Sequence, residues 1–299
     1  MFACRYPVQL AGMGGFTSPA LAIAVSAAGG LGMLSGSCSA RVLQAQLDEI
    51  PPDLAVGVNY LIRFLDRMSL EHAAARSPLV EFFWGPPDAA LVEVVHQGGA
   101  RAGWQIGSVD EAVAARDAGC DILVVQGVEA GGHVRGTVGL LQLLQEVRTA
   151  VELPLVAAGG IGTGRAMAAA LSSGADAVRV GTRFVAAAES IAHPAYVDAL
   201  IAARAEDTVL TTAFGDGWPD APHRVLRSSV EAGTALGDAQ SWTPDWPTND
   251  YQGVAEARAL YAGESVGAVR SRQRAADIVS ELVAEARAEL ERRTAPSSE

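Results

Sequence analysis

The sequence predicts an α/β fold, a (β/α)8 barrel with a small inserted subdomain near the C-terminus. Three observations support this. Short apolar, often β-branched runs alternate with alanine-rich helical runs, the pattern of parallel strands covered by helices. Two successive strand-like runs, residues 155–158 and 177–180, each end in glycine, at Gly159-Gly160 and at Gly181-Thr182. In barrels of this class the loops after the last two strands commonly hold a phosphate, and glycine lets backbone N–H groups approach an anion closely. The chain has 299 residues and 49% hydrophobic content, which suits one barrel of roughly 250 residues plus an insertion.

The elements follow in order. Residues 7–11 read as the first strand. Thr17-Ser18-Pro19 supplies a helix N-cap with proline at the first helical position, and Gly29-Gly30 closes that helix. Residues 31–34 form the second strand, and Ser39 caps a helix reaching Ile50. Strands three to five are expected at 54–59, 79–84 and 102–106. Ser108-Val109-Asp110-Glu111 is a capping box for a helix that stops at Gly119. Residues 122–126 are the sixth strand, and the two glycine-terminated runs complete eight. Thr163 starts the helix between those two runs and Gly174 stops it.

An open dinucleotide-binding sheet is the competing architecture. It calls for GxGxxG after the first strand and an acidic residue after the second. Ala11-Gly12-Met13-Gly14-Gly15 only loosely matches the first, and Leu34-Ser35-Gly36 lacks the second, so the barrel is the better fit. Beyond residue 205 the texture changes. Residues 208–214 read as a strand, and 215–251 are rich in Gly, Pro, Trp and Asp. The expected division is a barrel from 1–206 and 252–299 with a lid at 207–251. Helices are expected at 254–262 and 275–292, and a frayed end at 294–299.

Composition narrows the chemistry. The chain contains no lysine, so all 22 basic residues are arginine. This excludes Schiff-base chemistry, pyridoxal phosphate and a Walker phosphate-binding lysine, each of which needs an amine. A formal charge of −12 argues against nucleic acid as a partner. No apolar run reaches the roughly 20 residues needed to cross a membrane, and MFACRYPVQL does not read as a signal peptide. Cys4, Cys38 and Cys120 form neither a disulfide framework nor a metal-ligand spacing, which fits a reducing cytoplasm. No HxH or HExxH spacing occurs, so no metal is expected, and there is no GxSxG elbow.

The segment Gln126-Gly127-Val128-Glu129-Ala130-Gly131-Gly132-His133 follows the sixth strand. Barrel active sites lie at the C-terminal ends of the strands, which places His133 as a general base. His72 and His96 read as surface residues, while His193 and His223 carry no supporting motif. Glu129 serves equally well as an acid–base group or as a loop cap. Asn59, Gln105 and Gln126 set three carboxamides at or near strand ends, able to donate to and accept from the edge of a ring. Trp84 and Trp104 read as packing; Trp218, Trp242 and Trp246 as a pocket wall or lid packing.

Taken together, these motifs resemble the nitronate monooxygenase family of TIM barrels, also called 2-nitropropane dioxygenases. That family includes FMN-dependent enoyl-acyl-carrier-protein reductases and NADH:quinone reductases. The resemblance is most specific at 126–133, at 157–162 and over Arg179, Val180, Gly181 and Thr182 with their continuation to Ser190. It is weakest over 207–250. It implies an FMN-bearing barrel. Ala11, Gly12 and Met13 match the loop against the isoalloxazine, while Asn59, Gln126 and Gly131 match flavin-contacting positions. Gly160, Gly181 and Thr182, with Gly159 beside them, match phosphate-binding positions. His133 matches the catalytic base, and residues 262–265 match a segment near the flavin. Two departures, Ala-Gly-Met for the more usual Ala-Pro-Met and Val-Arg-Gly after the histidine, bear on the substrate.

The implied activity is oxidation of an alkyl nitronate with molecular oxygen to a carbonyl compound and nitrite. The alternatives are an NAD(P)H-dependent reductase of quinones or enoyl thioesters, and a flavin-free barrel acting on a phosphosugar. The partners are a small-molecule substrate and oxygen, or NAD(P)H for the reductase. Apolar lid surface is compatible with a homodimer.

Overall fold

The computed structural model describes residues 4–237 and 242–294. Eight parallel strands form one sheet: β1 (Val8–Leu10), β2 (Gly32–Ser35), β3 (Val56–Leu61), β4 (Leu79–Phe83), β5 (Arg101–Ile106), β6 (Ile122–Gln126), β8 (Leu155–Ala158) and β9 (Ala177–Val180). The short β7 (Gly132–His133) lies outside that sheet. Neighbouring strands follow the chain order, and β1 pairs with β9 through Val8↔Val178 and Leu10↔Val180. The ring closes between β1 and β2. There the Leu10 N–H donates to the Leu31 carbonyl at 2.9 Å and the Leu31 N–H to the Val8 carbonyl at 2.8 Å. The strands are buried almost throughout and are mainly apolar, with single polar residues such as Gln9, Glu81 and Arg179 among them, as expected where side chains fill the barrel on one face and helices cover the other.

The helix starts follow the local chemistry. The Ser18 hydroxyl accepts from the Leu21 N–H with Pro19 opening α1 (Pro19–Ala27), and Thr163 caps α7 (Gly164–Ser172) through the Ala166 N–H. Ser108 accepts from the Glu111 N–H, but the Glu111 carboxylate does not return to complete the box. It takes the Gly107 N–H at 2.8 Å and pairs with Arg135 instead. The long C-terminal helix α11 (Ala275–Thr294) packs on α7. Their approach is close enough that a Cβ at Gly164 would stand 2.2 Å from the Glu285 Cβ. The expected frayed end falls, beyond Thr294, outside the described residues. No described helix is long and apolar enough to cross a membrane.

A second, antiparallel sheet covers one end of the barrel. Its strands run in the order β10 (Thr208–Thr211), β11 (His223–Leu226), β7. Two expectations differ here. The strand expected at 208–214 ends at Thr211, because the chain turns so that the Phe214 N–H meets His223 Nε2 at 3.3 Å. The helix expected at 254–262 is a single 3-10 turn, Ala255–Ala257, followed by extended chain that bridges Tyr261 to Val225. Alternate alanines, Ala255, Ala257 and Ala259, are buried, a period of two rather than 3.6.

Candidate active site

A cavity of about 570 Å³ opens at the C-terminal ends of the barrel strands, between them and the small sheet. That volume lies within the usual range for a cofactor or small-molecule pocket. Every site residue expected from the sequence except Val180 lines it. Val180 is buried in the barrel wall, where its carbonyl accepts from the Ala11 N–H at 2.9 Å.

The barrel side is built from short strand-end loops. Gly159 and Gly160, after β8, have φ of +109° and +68°, which a side chain would strain. Beside them, Gly181 and Thr182 start a short helical turn after β9. The Thr182 hydroxyl accepts from the Gly263 N–H at 3.0 Å, and Arg183 Nη1 donates to the Gly162 carbonyl at 3.1 Å, so both loops are tied down. After β1, Gly12 must lack a side chain, since a Cβ there would stand 2.5 Å from that of Asn59.

The three amides differ in what they can still bind. Gln126 ties down its own loop, its Nε2 donating to the His133 carbonyl at 2.9 Å and its Oε1 accepting from the Arg135 N–H at 3.3 Å, and keeps a second N–H and a second lone pair. Gln105 uses its oxygen for Arg179, at 2.7 Å. Asn59 is nearly buried, lines the cavity, and its side chain meets no hydrogen-bond partner among the described residues. Glu129 caps the helix α6 (Leu140–Ala150), both carboxylate oxygens lying 3.1 Å from the Leu140 N–H. Of the two sequence readings for Glu129, the loop cap is the one its contacts fit. Cys38 also lines the cavity, but burial pushes its thiol pKa up, which disfavours the thiolate.

His133 sits on β7 at the far wall. Its ring stacks on Trp218 at 4.4 Å between centroids, with Trp84 edge-on at 5.5 Å and Tyr261 at 5.8 Å. Burial, with a smaller contribution from the nearby His223, pulls its pKa down to about 3. The imidazole is therefore neutral at ordinary pH. His223 is fully buried and faces His133 across the strand pair, ring centroids 5.5 Å apart. Its Nδ1 lies 2.9 Å from the Ala221 carbonyl, while its Nε2 accepts from Phe214. That pattern fixes one neutral tautomer, and burial lowers its pKa as well.

Sequence reading missed several of these residues. Trp84 is not barrel packing; it has a positive φ of 66° and joins the aromatic group over the cavity. Trp218 and Trp246 line the cavity, whereas Trp242 packs on Phe214. His223 carries no local motif, and only its register against His133 reveals its place. Glu81 and Gln9, inside the barrel, are two more. A carboxylate in the middle of the apolar run Leu-Val-Glu-Phe-Phe was the available signal for the first.

Comparison with known proteins follows the same lines. The family described as nitronate monooxygenase matches residues 1–55 and 50–285. The chain belongs to the nitronate monooxygenase family. Members of this family are flavin-dependent oxidoreductases. A probable nitronate monooxygenase of Staphylococcus aureus is 30% identical over 264 residues, covering 72% of this chain and 74% of that protein. Among solved structures, FabK from Thermotoga maritima superposes with a TM-score of 0.84 at 29% identity, covering 97% of this chain and 95% of that one. Nitroalkane oxidase from Streptomyces ansochromogenes superposes at 0.78 and 28%, covering 98% and 99%. The family thus spans the barrel and the small sheet alike.

Proposed function

We propose that the protein binds FMN in this cavity and oxidises alkyl nitronates with molecular oxygen to carbonyl compounds and nitrite. The observation that carries the reading is His133, a neutral, desolvated imidazole on the wall of a cavity whose other side is glycine loops and an unengaged amide. The residues present fit FMN. Gly160, Gly181 and Thr182 offer backbone and hydroxyl groups for the phosphate without a lysine, and Asn59 and Gln105 offer amides to the polar edge of the ring. When bound, FMN supplies the electron acceptance and the reaction with oxygen that no side chain here can provide.

The chain's own residues do the rest. His133 accepts the α-proton when a neutral nitroalkane is offered, generating the nitronate in place. Its low basicity is a property of the protein without substrate. The anion formed beside it stabilises the imidazolium and raises its pKa as the proton moves. Trp84, Trp218 and Tyr261 surround the ring and exclude water from the proton's path. Among the described residues, the charged side chains lining the cavity are Asp245 and the already paired Arg179, which favours an apolar substrate with one compact polar group.

The test is His133→Asn. The variant should bind FMN and still oxidise preformed nitronates, while turnover of neutral nitroalkanes falls by about 100-fold or more. Unchanged turnover of the neutral form removes His133 from the mechanism. The similarity to FabK supports a second reading, an NAD(P)H-dependent reductase of quinones or enoyl thioesters. Rapid anaerobic loss of the flavin band with NADH or NADPH, and none with a nitronate, selects the reductase instead.

A further inference from the structure

The barrel interior beneath the cavity holds an ion pair that the proposed chemistry does not use. Arg179 on β9 and Glu81 on β4 are 5% and 0% exposed. Arg179 Nη2 pairs with Glu81 Oε2. Its Nε and Nη2 each reach Gln9 Oε1 at 3.1 Å, and Nη1 reaches Gln105 Oε1 at 2.7 Å. Glu81 Oε1 in turn accepts from Gln9 Nε2 at 2.8 Å. Two amides and two charges thus satisfy one another, with no net charge.

One consequence concerns Gln105. A guanidinium only donates, so the Gln105 atom against it must be the oxygen. The amide nitrogen then lies on the other side of the group. No acceptor meets it among the described residues, nor is it among the sealed, unpartnered polar atoms, and Gln105 lines the cavity. A free glutamine amide can turn over; this one cannot without setting two donors against each other.

We propose that Glu81 and Arg179 are positioning residues that lock Gln105 as a fixed hydrogen-bond donor into the cavity, aimed at an oxygen of the flavin ring. The proposal rests on the FMN reading above. A donor at a ring oxygen favours the more electron-rich reduced ring, so it strengthens FMN binding and raises the midpoint potential. The energetic logic suits a buried pair. Such pairs contribute little net stability compared with apolar residues of similar size, but they restrict geometry.

The experiment compares Gln105→Leu, the double variant Glu81→Leu/Arg179→Met, and the triple variant combining them. FMN affinity is read by fluorescence quenching, and midpoint potential by anaerobic redox titration of the holoprotein. Gln105→Leu and the double variant should each weaken FMN binding by about tenfold, the scale of one well-placed hydrogen bond, and lower the potential. The triple variant should fall no further than the double, because all three changes remove the same donor. Where the apolar pair does not fold, Glu81→Gln/Arg179→Gln keeps hydrogen-bonding groups in the barrel and should show the same losses. Wild-type affinity and potential in the double variant, or additive losses in the triple, overturn the assignment. Wild-type protein that takes up no FMN overturns the flavin reading itself, an outcome distinct from a silent double variant in a protein that binds it.

Discussion

The two walls of the cavity are held in different ways. On the barrel side, Asn59, Gln105 and the glycine loops stand at the ends of parallel strands whose partners on both flanks are fixed by the sheet. On the cap side, His133 belongs to a strand of two residues that, among the described residues, pairs with β11 alone. Its loop is anchored by Gln126, and the cap as a whole by Arg224, which donates to the Val128 carbonyl at 2.9 Å and pairs with Glu264 at 3.2 Å. A further contact spans the mouth: Arg63 Nη2 donates to the Gly217 carbonyl at 2.6 Å and lies over Phe64 and Trp218. The comparison separates the work. On the proposed reading the barrel supplies the cofactor cradle, and the cap supplies the proton acceptor and the dry surroundings it needs.

The largest effect should come from breaking the seam between the two. A Cβ at Gly131 would stand 2.4 Å from the Gly263 nitrogen and 2.7 Å from the Ala262 carbonyl carbon. Gly131→Val must therefore push the cap off the barrel, and turnover should fall by about a hundredfold while far-ultraviolet circular dichroism stays that of the wild type. Retained turnover would mean that the seam tolerates movement.

Acid should act on the cap histidine next. The unfolded chain protonates His133 near its ordinary pKa of 6.5, whereas the folded protein resists protonation until about 3. Between those values the unfolded state binds more protons, so stability is fully present above 6.5 and is lost as pH falls towards 3. Urea midpoints of the wild type should drop across this window, and those of His133→Asn should drop less. His223, also lowered by burial, adds to the slope in both proteins.

Trp218→Ala removes the stacked neighbour of His133 and admits water. Turnover of a neutral nitroalkane should fall about tenfold, the scale of one aromatic pair. The His133 pKa, followed by NMR, should rise towards 6.5; a value still near 3 would show that Trp218 does not keep the ring dry. Arg63→Ala should have the smallest effect, about twofold in KM, because its contact is exposed. A tenfold change would mark the mouth contact as a main constraint on the cap.

The same division governs what the sequence made legible. The barrel rests on local signals: glycine after a strand, serine before a helix, and apolar runs of strand length. Ser18, Thr163, Gly174 and the loops at Gly159 and Gly181 could each be read without knowing their distant neighbours. The cap depends on long-range register. Nothing near Gly132 marks two residues as a strand, since their partners are Arg224 and His223 some ninety positions later. The run 254–262 has the alanine content of a helix, and only the alternate burial of Ala255, Ala257 and Ala259 shows it to be extended. Gln126 reads as a ligand-contacting amide from its type and place, and it lines the cavity. Its two hydrogen bonds to the following loop exist only once that loop has folded back.

Because His133, the proposed base, rides on β7, the small sheet and the barrel need not fail together. Local opening of a segment with few cross-strand bonds costs less than global unfolding. Gentle warming, or a low dose of urea, should peel the two-residue strand away first and carry the imidazole with it. The product would be a dormant protein, its central ring of strands still intact, and cooling should wake it.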